Sequence, residues 1–282
     1  MAIGDSARIN TNVAAFNALT ALKSVNRNLE KSQLKLATGF RINQVADDPA
    51  GFVISKRLDA RARGLAVALD NVGTAKNVLA IAEGGLQNIQ EILLTMKEKV
   101  TQAASDTFSS AERNTIATEI IELVTEIDNI VSETTFNDIS LLDGTYTGKS
   151  YQTGEDTTNT MLFSITQDNR VGGLAVQAAN VSDRVFSATG SSVALSNVDS
   201  AIETISDTLQ NIGATVSRMT VKESTLRIAI TNTKATKSRI LDADIANEQL
   251  NSTRLQILQQ TATAQLAQAN VAPQNVLALF QQ

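Results

Sequence analysis

The chain has 282 residues, a net charge of −5, and no Cys, His or Trp. That length suffices for one large domain or two ordinary ones. The missing residue types exclude disulfides, thiolate nucleophiles, sulfur ligands and imidazole bases, so no metal, cofactor or enzymatic activity is expected, and the lack of a basic block argues against nucleic acid as a partner.

Met1 to Asn12 lacks the basic region, apolar run and small-residue cleavage site of a secretory signal. Apolar residues at Ala18, Leu22, Val25, Leu29 and Leu36 then predict a first helix, ending at Thr38-Gly39, where Gly suits a helix C-terminus. A short linker, Phe40 to Asp47, contains Arg41 and Asn43. Asp48 looks like an N-cap, followed by Pro49 at the first helical position. From there Leu58, Ala62, Leu65, Leu69, Val72, Leu79, Leu86, Ile89, Leu93, Met96 and Val100 keep one heptad seam. Such a helix would span on the order of 80 Å at about 1.5 Å per residue. Residues 104 to 110 break it, and Ile116, Ile120, Leu123, Ile127 and Ile130 predict a third helix.

Residues 136 to 192 change character, with Gly, Thr, Ser, Asn and Asp dominating. Met161 to Ile165 favours a strand and Asp168-Asn169 a turn, so a small β-hairpin element is expected. Helix resumes with Leu195, Val198, Ile202, Ile205, Leu209, Ile212, Val216, Met219, Leu226, Ile230 and Ile240 in one frame. The frame slips at Leu241-Asp242-Ala243-Asp244, which fits either a junction between two helices or a bend in one. Asp242 and Asp244 do not share a helix face, so they suit a cap or an inter-subunit contact rather than a metal site.

The last 28 residues, Leu255 to Gln282, carry no charge and eight Gln, with Leu255, Ala262, Leu266, Ala269, Val276 and Phe280 at helical spacing. This segment is too apolar to leave in water and too rich in Gln, Asn and Thr to insert in a membrane. The fold class is mainly α, a long antiparallel coiled-coil or helical-bundle rod with a small central β-hairpin element. The two ends can pair, and each presents more apolar surface than one partner covers.

These residues carry a resemblance. Ile9 to Asn12, Leu36 to Asn43, Ala46 to Gly51, Phe136 to Asp138 with Leu141 to Gly144, Ser238 to Ile240 with Asp242 to Asp244, Gln256 to Gln260, Leu266 to Asn270 and Pro273 to Leu277 together resemble bacterial flagellin, in the family's order. The resemblance implies an inner coiled-coil assembly domain, residues 1–40 with 243–282. It implies a helical rod, 41–135 with 195–242, and a hairpin region, 136–194, with no large outer domains.

The function implied is that of a structural subunit that polymerises with itself into the flagellar filament for motility. Val13, Phe16, Leu22, Val25, Leu29, Leu255, Leu258, Leu266, Val276 and Phe280 are the expected burial sites, and Arg41, Asn43, Asp48, Pro49, Asp242 and Asp244 the expected domain junction. Implied partners are an export chaperone on the C-terminal segment, a filament cap and hook-junction proteins. The implied route is unfolded export through the flagellar type III apparatus to an extracellular filament. Many flagellins are recognised by an innate-immune Toll-like receptor. The positions matching its key Arg and Leu are Thr95 and Lys99 here, with the matching Glu kept as Glu119, so weak recognition is expected. A hook–filament junction protein, a periplasmic flagellin and a chemoreceptor-like coiled coil are the alternatives.

Overall fold

A computed structural model describes residues 11–177 and 188–279, with side chains over 11–177 and 190–271. Five helices carry the described chain: α1 (Val13–Thr38), α2 (Pro49–Ala103), α3 (Ser110–Glu133), α4 (Ala188–Leu241) and α5 (Ile245–Leu279). Between α3 and α4 lie four short strands, β1 (Thr135–Phe136), β2 (Ile139–Ser140), β3 (Lys149–Gln152) and β4 (Thr160–Phe163).

Local chemistry sets the helix ends. Asn12 caps α1 by accepting from the Ala15 N–H at 2.9 Å, and Gly39 closes it in the left-handed region at φ 73°. At α2, Asp48 Oδ1 accepts from Gly51 N at 2.9 Å while Pro49 occupies the first turn. Gly51 lets Asp48 and Ile42 pack closely, since a Cβ there would lie 2.5 Å from Asp48 Oδ2 and 2.7 Å from Ile42 Cδ1 and would require those side chains to shift. The break before α3 is a turn. The buried Arg113 holds it, its Nη2 donating to Ser105 O at 2.8 Å, and Ser109 with Glu112 forms a capping box. The slip after Ile240 is a true junction. α4 ends at Leu241, and Asp244 Oδ1 accepts from Ala246 N and Asn247 N at the start of α5.

The strands form two separate antiparallel ladders, β1 with β2 and β3 with β4. Asn137 and Asp138 join the first pair with φ of 49° and 61°, the paired positive φ of a two-residue type I′ turn. The turn expected at Asp168-Asn169 takes the form of a side-chain turn, with Asp168 Oδ1 accepting from Arg170 N at 3.0 Å. Asp168 also bridges to Asp143, Asn169 is buried, and the chain turns again over residues 171–175.

The chain divides into two compact units, Met1–Ala60 with Asn232–Gln282 and Arg61–Thr231. In the second, α2 and α4 run antiparallel. Lys76 meets Glu223 at 3.0 Å, Gln90 meets Ser206 at 3.4 Å and Lys97 meets Asp199 at 2.7 Å, so numbers fall on one helix as they rise on the other. Leu65, Val72, Leu79, Leu86, Ile89, Leu93, Met96 and Val100 are buried as the heptads predict, in one core with Ile120, Ile127, Leu141, Leu142, Ile205, Ile212 and Met219. Leu58 and Leu69 are only half-buried. Ala68, Ala75, Val78 and Ala82 widen the seam, their small side chains admitting close neighbours.

Candidate assembly interface

In the first unit α1 pairs with α5. Asn12 Nδ2 donates to Ala269 O at 2.7 Å, Gln259 Nε2 to Asn26 Oδ1 at 2.9 Å and Ser32 Oγ to Glu248 O at 3.4 Å, so the pair is antiparallel. Leu29 is 7% exposed and Val13, Leu22, Val25, Leu255 and Leu266 are half-buried. Phe16 remains 68% exposed and Leu258 is also exposed. Val276 lies on α5 but its side chain, like the whole of Phe280, falls outside the described residues. Ala18, Ala21, Val25, Leu258 and Ala262 line a shallow groove of about 210 Å³ between the two helices.

A second apolar stripe escaped the sequence reading. Leu250, Ile257, Ala264 and Val271 recur every seven residues on α5, all exposed. At 100° per residue they lie opposite Leu255, Ala262, Leu266 and Ala269, the half-buried face. A helix apolar on two opposite faces has one face covered and one that wants a neighbour. The i, i+7 spacing was available in the sequence, but the frame followed there was that of the covered face.

Of the expected junction residues, Arg41, Asp48 and Asp242 take part in contacts that join the two crossings within the same unit, while the Asp244 side chain bonds only at the start of its own helix. Arg41 N donates to Leu241 O and its Nη2 to Ile240 O, each at 2.7 Å, and its guanidinium lies 3.8 Å from Asp48. Ala243 N returns a bond to Gly39 O at 2.9 Å, and Phe40 bridges to Asp242. Asn43 Nδ2 donates to Phe40 O, and Ser238 Oγ to Asp242 Oδ2 at 2.5 Å. The two chain crossings, α1 to α2 and α4 to α5, are thus fastened together. The backbone N–H of Asn247, then its side chain, holds the Asp244 carboxyl below the usual aspartate value. Lys237, a polar interruption of the α4 seam, pairs with Asp59 at 2.5 Å.

In the second unit Thr95, Lys99 and Glu119 line one groove of about 580 Å³ between α2 and α3, together with Glu122, Leu123 and Glu126. Lys99 Nζ sits 2.5 Å from Glu119 Oε2. Among the described residues no cluster of three or more His, Cys, Asp or Glu is placed to hold a metal ion.

Long paired helices, a helix pair with an uncovered apolar stripe, and clusters that fasten rather than react define the class: a helical subunit built to pack against others. The N-terminal helical region of bacterial flagellin matches residues 9–147 and the C-terminal helical region matches residues 195–280. The chain belongs to the bacterial flagellins, the structural subunits of the flagellar filament. It is similar to the flagellar filament 33 kDa core protein of Treponema phagedenis, 33% identical over 286 residues, which are 96% of this chain and 99% of that one. It is similar to the flagellin of Bacillus subtilis (strain 168), 34% identical over 307 residues, 97% of this chain and 99% of that one. Among solved structures, the crystal structure of Bacillus cereus flagellin aligns with a TM-score of 0.48 at 23% identity, over 56% of this chain and 88% of that chain.

Proposed function

We propose that filament growth is driven by burial of the outward face of the α1/α5 pair against other copies of the same chain. The carrying observation is the exposed stripe of Leu250, Ile257, Ala264 and Val271, opposite the face that meets α1. At about 25 cal/mol per Å², a few hundred Å² of apolar surface contributes several kcal/mol per subunit, less the cost of association. Head-to-tail contacts that do not close into a ring build an open helix.

On this reading residues 1–40 with 243–282 form the inner assembly domain, 41–135 with 195–242 the rod, and 136–194 its hairpin region. Val13, Phe16, Leu22, Val25, Leu29, Leu255, Leu258, Leu266, Val276 and Phe280 share the burial with the outward stripe. Arg41, Asn43, Asp48, Pro49, Asp242 and Asp244 hold the junction between domains. The chain is exported unfolded with a chaperone on its C-terminal segment, and adds beneath a cap above the hook-junction proteins. It catalyses nothing. The filament is extracellular. A periplasmic filament is the second reading, favoured by the near-full-length match to the Treponema phagedenis core protein, and immunogold labelling of intact cells separates the two.

The test of assembly is a chain lacking residues 243–282, salted out beside the intact chain and viewed by negative-stain electron microscopy. The intact chain forms long uniform filaments and the truncated one stays soluble. Filaments from the truncated chain refute the reading.

A further inference from the structure

The two units differ in the sign of their charge. Met1–Ala60 with Asn232–Gln282 carries 12 Lys and Arg against 8 Asp and Glu, while Arg61–Thr231 carries 12 against 21. A chain that is acidic as a whole therefore keeps its helix-pair unit cationic. The excess gathers on α1, which holds Lys23, Arg27, Lys31 and Lys35 with Glu30 as its single acid.

Three of these cations form a stripe. Lys23, Arg27 and Lys31 stand four residues apart, and all three are exposed. The neighbouring acids are Glu30, on the flank of the stripe, and Asp47, which feels the charge of Lys31 from the linker. The Asp47 carboxylate is already committed, accepting from Asn43 N and Gln44 N at 3.1 Å each. The stripe therefore keeps a surplus of positive charge.

Large apolar side chains share that face. Phe16, Leu19 and Leu34 are 68%, 37% and 46% exposed. At 100° per residue they fall with the three cations inside an arc of about 120°, turned away from Leu22, Val25 and Leu29 on the side that meets α5. Three exposed apolar groups of this size on one helix face mark a contact surface rather than ordinary scatter.

Apolar groups and surplus cations on one face of a helix are the chemistry that binds a bilayer with anionic headgroups. The apolar side chains enter the boundary of the acyl chains, while Lys and Arg lay their stems along it and keep their charges at the headgroup phosphates. A second α1/α5 pair is a poorer match, because it brings the same surplus of cations. We propose that the outward face of α1 in the free subunit docks on an anionic lipid surface, the helix lying in the plane of the headgroups without crossing them. On the assembly reading Phe16 is covered in the polymer, so polymerisation releases the chain from the lipid.

Vesicle flotation tests the docking in the full-length chain, below the concentration at which it forms filaments. The parent floats with vesicles of phosphatidylcholine and phosphatidylglycerol in equal parts, stays behind with phosphatidylcholine alone, and is released by high salt. Lys23→Gln, Arg27→Gln and Lys31→Gln together weaken binding about a hundredfold, roughly fivefold for each cation removed. Gln is a good helix former, so the helix survives the change. Arg218→Gln with Lys222→Gln removes charge from the other unit and binds as the parent does. A parent that ignores anionic vesicles, or binds neutral ones equally, overturns the docking. So does an equal loss from the Arg218 and Lys222 changes, which would make the attraction one of overall charge. A triple variant that binds lipid as the parent does but no longer polymerises assigns the face to a second copy and overturns it too.

A second measurement reads the apolar half of the contact. The chain has no Trp, so Leu19→Trp places a lone reporter on the face. Its emission shifts to the blue on anionic vesicles as the indole leaves water. Emission unchanged on vesicles that carry the chain refutes docking through this face.

Discussion

Replacing Ile257 by Ala separates assembly from folding. Ile257 is 59% exposed on the outward stripe of α5, so most of its surface remains for a neighbouring subunit to bury. Full burial of an Ile side chain contributes about 1.5–3 kcal/mol, and the still-exposed share of that is about 1–2 kcal/mol. At about 1.4 kcal/mol per factor of ten, the critical concentration for polymerisation rises roughly 5- to 30-fold. The subunit itself loses little. The site is exposed, surface changes lie within about 0.5 kcal/mol, and Ala is the better helix former. Leu29→Ala is the contrasting control. Its side chain is 7% exposed between α1 and α5, so its removal opens the pair in the monomer. Sedimentation of polymer against total protein gives the critical concentration, and circular dichroism during thermal unfolding gives monomer stability. An Ile257→Ala chain that polymerises at the parent concentration refutes the stripe as an assembly surface. A large loss of monomer stability would show that the residue packs within the subunit.

Three further outcomes are expected. Leu86→Ala empties a fully buried position in the core shared by α2, α3 and α4, and lowers unfolding free energy by about 2–5 kcal/mol in chemical denaturation. Asp244 has a lowered pKa through its bonds to Asn247 and Ala246, so its contribution to the start of α5 is complete above the ordinary value of 3.8 and fades as pH falls through the lower folded value. Asp244→Ala removes that acid-dependent change, seen as hydrogen-exchange protection at the first turn of α5, relative to the intrinsic exchange rate at each pH, that no longer varies between pH 5 and the acid range. Finally, the family resemblance matches Thr95 and Lys99 to the receptor-contacting Arg and Leu of many flagellins, and on that reading we expect a weak response in a Toll-like-receptor reporter-cell assay; full potency refutes the expectation.

The helical part of the fold was legible because its signals are local. Heptads that place Leu65 to Val100 on one stripe need only the period of the helix, and Asp48-Pro49 and Gly39 announce their ends within a turn. The central segment was legible only as a strand-bearing region. Asn137-Asp138 is a two-residue turn whose flanking strands are too short to show alternation, and Lys149 to Gln152 is polar enough to hide its pairing with Thr160 to Phe163. The bridge from Asp168 to Asp143 is a non-local choice that turn propensity cannot anticipate. At the interface, periodicity identified the face of α5 that meets α1. It passed over the opposite face because Leu250, Ile257, Ala264 and Val271 are interleaved with Gln, Asn and Thr. The α2/α3 groove required knowing which helices are neighbours.

The fastening of Gly39 and Arg41 to Ile240, Leu241 and Ala243 also dictates an order of events. α1 and α5 come from opposite ends of the chain, and the bond from Asn12 to Ala269 spans 257 positions. Closing so large a loop in an open chain is slow and entropically unfavourable. Once α2 and α4 have paired, Asp59 already lies against Lys237, and the remaining closure is that of a short hairpin. Loop-closure entropy therefore favours shutting from the middle towards the ends. On the proposed assembly reading, the outward face of the α1/α5 pair is completed last, so incorporation waits on the folding of the body.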